Sequence, residues 1–169
     1  MSFNLRDRTK FHVIFAVGCA IALGLSYLLE NILGAEKTLA VTITLLTAVG
    51  GFTGFLYAKH AQETQLFREL FRDFNARYAI LNDDLNEIRN RPIGQPIVNA
   101  DHKVLYEYFN LCAEEYLYAN AGYIDSRVWC AWQNGMCYFN EDSEIRDFWK
   151  FELLQNSYYG FTLDCIQKS

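Results

Sequence analysis

Chemistry in a chain of 169 residues begins with its scarce reactive side chains. The three histidines, His12, His60 and His102, are far apart in sequence. An acid–base dyad needs two titratable groups within hydrogen-bond reach, and nothing in the pattern around these three draws any two together. The five cysteines, Cys19, Cys112, Cys130, Cys137 and Cys165, are odd in number and contain no Cys-x-x-Cys pair. With so few histidines to complete a ligand set, they read as free, reduced, mostly buried thiols rather than a metal centre. Glu114–Glu115 and the group Glu141, Asp142 and Glu144 are the acidic clusters. Acids at helix starts and on solvated faces account for them without a metal. No phosphate loop, dinucleotide-binding glycine pattern, nucleophile elbow or zinc-protease motif is present. The sequence therefore predicts no catalytic residue, no metal site and no cofactor. Asn110, Glu114 and Glu115 stand out instead as polar groups on an aromatic helix, candidates for structural or assembly contacts.

Those residues belong to a predicted all-α chain. Only two prolines and ten glycines among many aromatic and aliphatic residues disfavour a β-sandwich, and sixteen per cent aromatic content excludes a disordered chain. A formal net charge of -5 argues against direct nucleic-acid binding. The charge is uneven: residues 1–10 carry +2, whereas ten acidic and four basic side chains from residue 104 onward give -6. Both prolines fall in 89–103, a stretch without sustained period, so 92–103 reads as a linker and 104–169 as a small acidic helical domain. Its helices are expected from an N-cap at Asn99 or Asp101, from one at Asp125 or Ser126, and from Ser143, with Gly122 ending the first.

The apolar residues concentrate at the other end. Residues 11–29 and 39–58 hold no Lys, Arg, Asp or Glu, and each approaches the ~20 residues that cross a bilayer core. With 30–38 as a short polar extracytoplasmic turn, they form a two-helix transmembrane hairpin in the lipid bilayer. A cleaved signal peptide fits less well, because the first run is long for a signal core and a second span follows closely. Arg6, Arg8 and Lys10 before the first span, and Lys59, Arg68, Arg72 and Arg77 after the second, place both termini in the cytoplasm, with 1–10 as a basic arm. Thr44, Thr47, Gly50, Gly51 and Gly54 form a small-residue stripe on the second span. Such a stripe either packs the hairpin against itself or lines a pore between subunits.

From Phe55 to Arg91 there is neither Gly nor Pro, so the second span is expected to run on as a helix to about Arg89. Over 59–91, Phe67, Phe71, Phe74, Tyr78, Leu81, Leu85 and Ile88 recur with heptad spacing. That seam must be buried, either by the C-terminal part of the same chain or by the same helix of another subunit. Membrane anchoring raises local concentration, which favours a homo-oligomer.

Leu105, Phe109, Asn110, Glu114, Glu115, Gly122, Ile124, Trp129 and Trp149 form a pattern across Val104–Leu153 that resembles a bacterial family of small membrane-anchored helical proteins. With its two-span anchor, the layout is similar to the membrane accessory proteins encoded beside type VI-B CRISPR RNA-targeting effectors. The resemblance implies an oligomeric pore that depolarises the membrane in antiphage defence, with an RNA-guided effector or other cytosolic protein as partner. The family has been linked to HEPN nucleases, which carry an Arg followed a few residues later by His. Arg6 and His12 have such spacing, but at the membrane edge, so no nuclease activity follows. The alternative, from another class, is a non-conducting membrane-tethered protein that docks a cytosolic partner.

Overall fold

The computed structural model of the chain describes residues 9–92 and 94–166. Most of the expected basic arm 1–10 and the last three residues of 104–169 lie outside the described residues. Those described form five helices, α1 (Thr9–Leu33), α2 (Ala35–Arg89), α3 (Asn99–Asn120), α4 (Ser126–Asn140) and α5 (Ser143–Leu153), followed by a 3-10 turn at Leu163–Ile166. No strand occurs among them. The chain divides into two compact units, one within Asn4–Gln65 and the other within Leu66–Ser169, and α2 contributes to both.

In the first unit, α1 and the start of α2 meet in opposite order along the chain. Phe11 rings contact Tyr57 and His60 at 5.6 and 5.5 Å, Gly18 abuts Val49, and Ser26 meets Thr42. A Cβ on Gly18 would lie 2.7 Å from Val49 Cγ1, so any larger residue there would force Val49 to shift. The Ser26 hydroxyl donates to the Ala22 carbonyl, and the Thr42 hydroxyl sits 2.6 Å from Ser26 Oγ and 2.8 Å from the Thr38 carbonyl, one proton serving two acceptors. Each hydroxyl thus finds a partner between apolar helix faces, where an unmade hydrogen bond is costly.

The break between the helices is tighter than the nine-residue turn read from the sequence. Only Gly34 leaves the helical conformation, at φ +81°, and α2 begins at Ala35 instead of near Leu39. A left-handed residue is cheap for glycine alone, and it turns the chain in one step. Large apolar side chains face outward on α1 and on the N-terminal part of α2, among them Val13, Val17, Ile21, Leu28, Ile43, Phe52 and Phe55. Thr9–Glu30 and the N-terminal part of α2 are each long and apolar enough to cross a membrane, with mean hydropathy of 2.1 and 1.8. Buried residues make up 11% and 0% of those apolar windows, where a core helix of a soluble protein would be mostly covered.

In the second unit the C-terminal part of α2 lies in one core with α3, α4, α5 and the final turn. Trp149 is its centre, stacked on Phe109 at 4.5 Å and on Phe161 at 5.6 Å. Phe74 packs edge-on against Trp132 at 5.6 Å and beside Tyr118. Here the heptad residues find their partner. Phe67, Phe74, Leu81, Leu85 and Ile88 are buried in that core and Tyr78 packs against it, while Phe71 remains 41% exposed. Of the two partners left open for this stripe, a neighbouring subunit or the C-terminal part of the same chain, this structure shows the second: the chain folds back and buries it. Aromatics at the first four seam positions suit this, because bulky rings interdigitate with other rings better than they fit a narrow two-helix zipper.

The helix ends follow the polar residues nearby. Asp125 caps α4 by accepting from the Arg127 N–H, and Asp142 caps α5 by accepting from Glu144 and Ile145 N–H groups. At α3 the Asp101 carboxylate accepts from the Val98 N–H, and Gly122 at φ +83° terminates the helix. The proline segment, read as a linker, is pinned. Arg91, only 12% exposed, pairs with both oxygens of Asp142 at 3.1 Å and with Glu144 at 3.1 Å. It also donates to the Ile88 and Gln95 carbonyls. These anions raise the Arg91 pKa against the opposing effect of burial, and Arg91 with the cap N–H groups holds Asp142 below its ordinary value although burial opposes this too.

Leu85 is fully buried and Ile80, on the same helix, is 77% exposed. Leu85→Ala is expected to cost about 2–5 kcal/mol and Ile80→Ala less than about 0.5 kcal/mol, measured by urea denaturation of the detergent-solubilised chain with tryptophan fluorescence. Equal effects would contradict the placement of the stripe.

Candidate binding site

Successive residues on a helix point about 100° apart, so the adjacent acids Glu114 and Glu115 on α3 face different surroundings. Glu114 reaches Arg77 of α2 and accepts two hydrogen bonds from its guanidinium, at 2.5 and 3.1 Å. Asp73, one turn before Arg77, adds a weaker contact at 3.7 Å. This cluster is half-exposed, and the hydrogen bond that Arg77 donates to Glu114 chiefly raises the Arg77 pKa.

Glu115 points inward. It is 5% exposed and lines a cavity of about 240 Å³ between α2, α3 and α4. Tyr108 lies two helical turns earlier on the same face of α3, with Cys112 between them, so the three form a stripe. Tyr78 comes from α2, and Trp132 and Met136 come from α4. Asn75 and Ala131, both exposed, form the mouth. Gly135 completes the wall. A Cβ there would meet nothing within 4 Å, so its missing side chain leaves open space beside the cavity.

No hydrogen bond reaches the Glu115 carboxyl among the described residues. Burial dominates its titration and pushes the pKa up to about 8, aided by the negative charge of Glu114 and opposed by Arg77. Near neutral pH the group is chiefly a neutral acid. Burial likewise raises Tyr108 and Cys112 well above their ordinary values, so both stay protonated beside it. A neutral carboxyl among rings can donate a hydrogen bond, hold a proton, or ionise against an incoming positive charge.

The other residues singled out from the sequence lie elsewhere. Asn110 is exposed on α3 and away from this cavity. Thr44 and Thr47 donate to the Ala40 and Ile43 carbonyls of their own helix. Nothing lies within 4 Å of a Cβ placed on Gly50, Gly51 or Gly54, so α1 does not pack on the glycine stripe. The close approach of α1 to α2 in this structure is at Gly18, against Val49. A second hollow, about 670 Å³, borders the proline segment, but its basic group is the Arg91 already held by two acids.

Sequence reasoning selected Glu115 without its surroundings and passed over Asn75 and Gly135. The available signal was periodicity: Glu115 falls in register with Tyr108 and Cys112, on the face that the aromatic pattern buries. Comparison with family models, curated proteins and solved structures yields no match.

The pH dependence follows from the raised acid. Protonated Glu115 favours the folded state; the contribution is complete below the ordinary value of 4.5 and is lost as pH rises to about 8. Across that window wild type should lose up to about 1.4 kcal/mol per pH unit relative to Glu115→Gln. Urea denaturation of both at pH 5, 7 and 9 measures it, and parallel stabilities would contradict the burial of this carboxyl.

Proposed function

We propose that the chain is a non-conducting membrane-tethered docking protein, anchored in a bacterial inner membrane by α1 and the first part of α2. Its acidic domain, residues 104–169 with the end of α2, binds a cytosolic partner. The observation that carries this reading is that the heptad stripe is covered by α3–α5 of the same chain. A single helix thereby begins among apolar residues and ends as part of the core of a folded acidic domain, without needing a second subunit. Basic residues on both flanks of the apolar segments, against Lys37 alone between them, support cytoplasmic termini. The excess of acids from residue 104 onward supports a partner with a basic surface.

One observation favours a second reading, the oligomeric pore implied by the resemblance to CRISPR accessory proteins. The face carrying Gly50, Gly51 and Gly54 is open, and small residues allow close approach of another helix in lipid. Two helices cannot enclose a channel alone, so this reading requires assembly through that face rather than through the heptad stripe.

Sizing in a maltoside detergent separates the two. Docking predicts a chain that remains in carbonate-washed membranes, elutes as a monomer or small oligomer, and leaves a membrane-potential dye unchanged on expression. A large ring with dye depolarisation that Gly51→Leu abolishes would overturn it in favour of the pore.

A further inference from the structure

The cavity at Glu115 has a composition that selects a class of ligand. Of its lining groups, the only charge-bearing one is an acid, and that carboxyl has no hydrogen-bond partner among the described residues. Three electron-rich rings, Tyr78, Tyr108 and Trp132, share the wall with the thioether of Met136. Ring faces attract cations, most strongly where water is excluded, and a carboxylate among rings completes the recognition of an ammonium group. The volume of about 240 Å³ lies below the ~300–1,000 Å³ of drug-sized sites, which limits the occupant to a compact molecule.

We propose that this cavity binds a small organic cation, an ammonium group with a short apolar body, with Glu115 as its counter-ion and Tyr78, Tyr108 and Trp132 as its cage. The mouth at Asn75 and Ala131 admits it from solvent. The site goes beyond the docking reading and does not depend on a protein partner.

Binding has a proton balance. The free site holds Glu115 as a neutral acid, and the bound site holds a carboxylate against the cation, so one proton leaves for solvent as the ligand enters. The surrounding charges permit this. From α2, Arg77 favours the carboxylate, and Tyr78 remains a neutral phenol because burial raises it. From α3, Glu114 opposes ionisation, but its charge is matched to Arg77 at hydrogen-bond distance, while Tyr108 and Cys112 stay neutral. From α4, no titratable side chain lines the cavity. Ionising Glu115 without a cation places a charge among rings; the cation removes that obstacle.

The experiment is calorimetric titration of the full chain in maltoside, since a phosphocholine detergent would itself present an ammonium group. Choline is the probe, and 3,3-dimethylbutan-1-ol is its neutral isostere. Choline should bind at least about tenfold more tightly than the alcohol, with affinity rising by up to about tenfold per pH unit from pH 6 and levelling above about 8. Near pH 7 its heat should vary with the ionisation enthalpy of the buffer, reporting the released proton. Glu115→Gln should remove both the preference and the pH dependence. Gly135→Leu, which fills the cavity and keeps the acid, should abolish binding, whereas the exposed control Glu107→Gln should change nothing. Absence of choline binding, equal binding of the alcohol, or affinity that falls as pH rises would each overturn the proposal. The last would identify Glu115 as a donor to a neutral ligand.

Discussion

The constraint on which this structure depends is the burial of one stripe on one helix. Between Phe67 and Ile88, α2 presents aromatic and aliphatic side chains at intervals that return to the same face. Left in water, that face would make the helix insoluble or drive it onto another copy. The chain answers within itself. The proline segment reverses direction, Arg91 holds the reversal through Asp142 and Glu144, and three short helices lay Leu105, Phe109, Met136, Ile145 and Trp149 around the stripe. The short helices depend on it in turn. A three-helix core of this size is marginal alone, and the long helix contributes the surface that completes it.

The same packing creates the chemistry. Placing α3 against α2 brings Arg77 to Glu114 and, one residue on, closes rings and helix backbone around Glu115. Two adjacent acids thus acquire opposite properties from geometry alone, one ion-paired and half-exposed, the other buried and held neutral to about pH 8. Nothing else in the second unit places an acid so deep without a hydrogen-bond partner among the described residues. Asp142 and Asp125 are also well covered, and both are satisfied by an arginine and by helix N–H groups, which lowers rather than raises their pKa values.

The all-helical class, the two long apolar segments near the N-terminus and the run of α2 into the second unit were legible from the sequence, because each rests on local composition and periodicity. Caps at Asp125 and the stop at Gly122 were legible for the same reason. What the stripe packs against was not. A heptad of Phe, Tyr, Leu and Ile specifies a face and its register, and either a neighbouring subunit or a returning chain satisfies it equally. The decision rests on long-range pairings such as Phe74 with Trp132 and on the Arg91 clamp across the proline segment, which no local pattern encodes. The cavity was hidden in the same way. Glu115 was visible as a polar residue on an aromatic helix, but its pocket needs Tyr78 from α2 and Gly135 from α4 to meet it.

The most direct measurement of the central claim is amide hydrogen exchange across residues 67–88 as protein is diluted in detergent. If the stripe is covered by its own chain, protection there is strong and independent of protein concentration. Protection that declines with dilution would mean that another subunit supplies the cover, and would contradict the fold-back on which the site and the docking reading both rest.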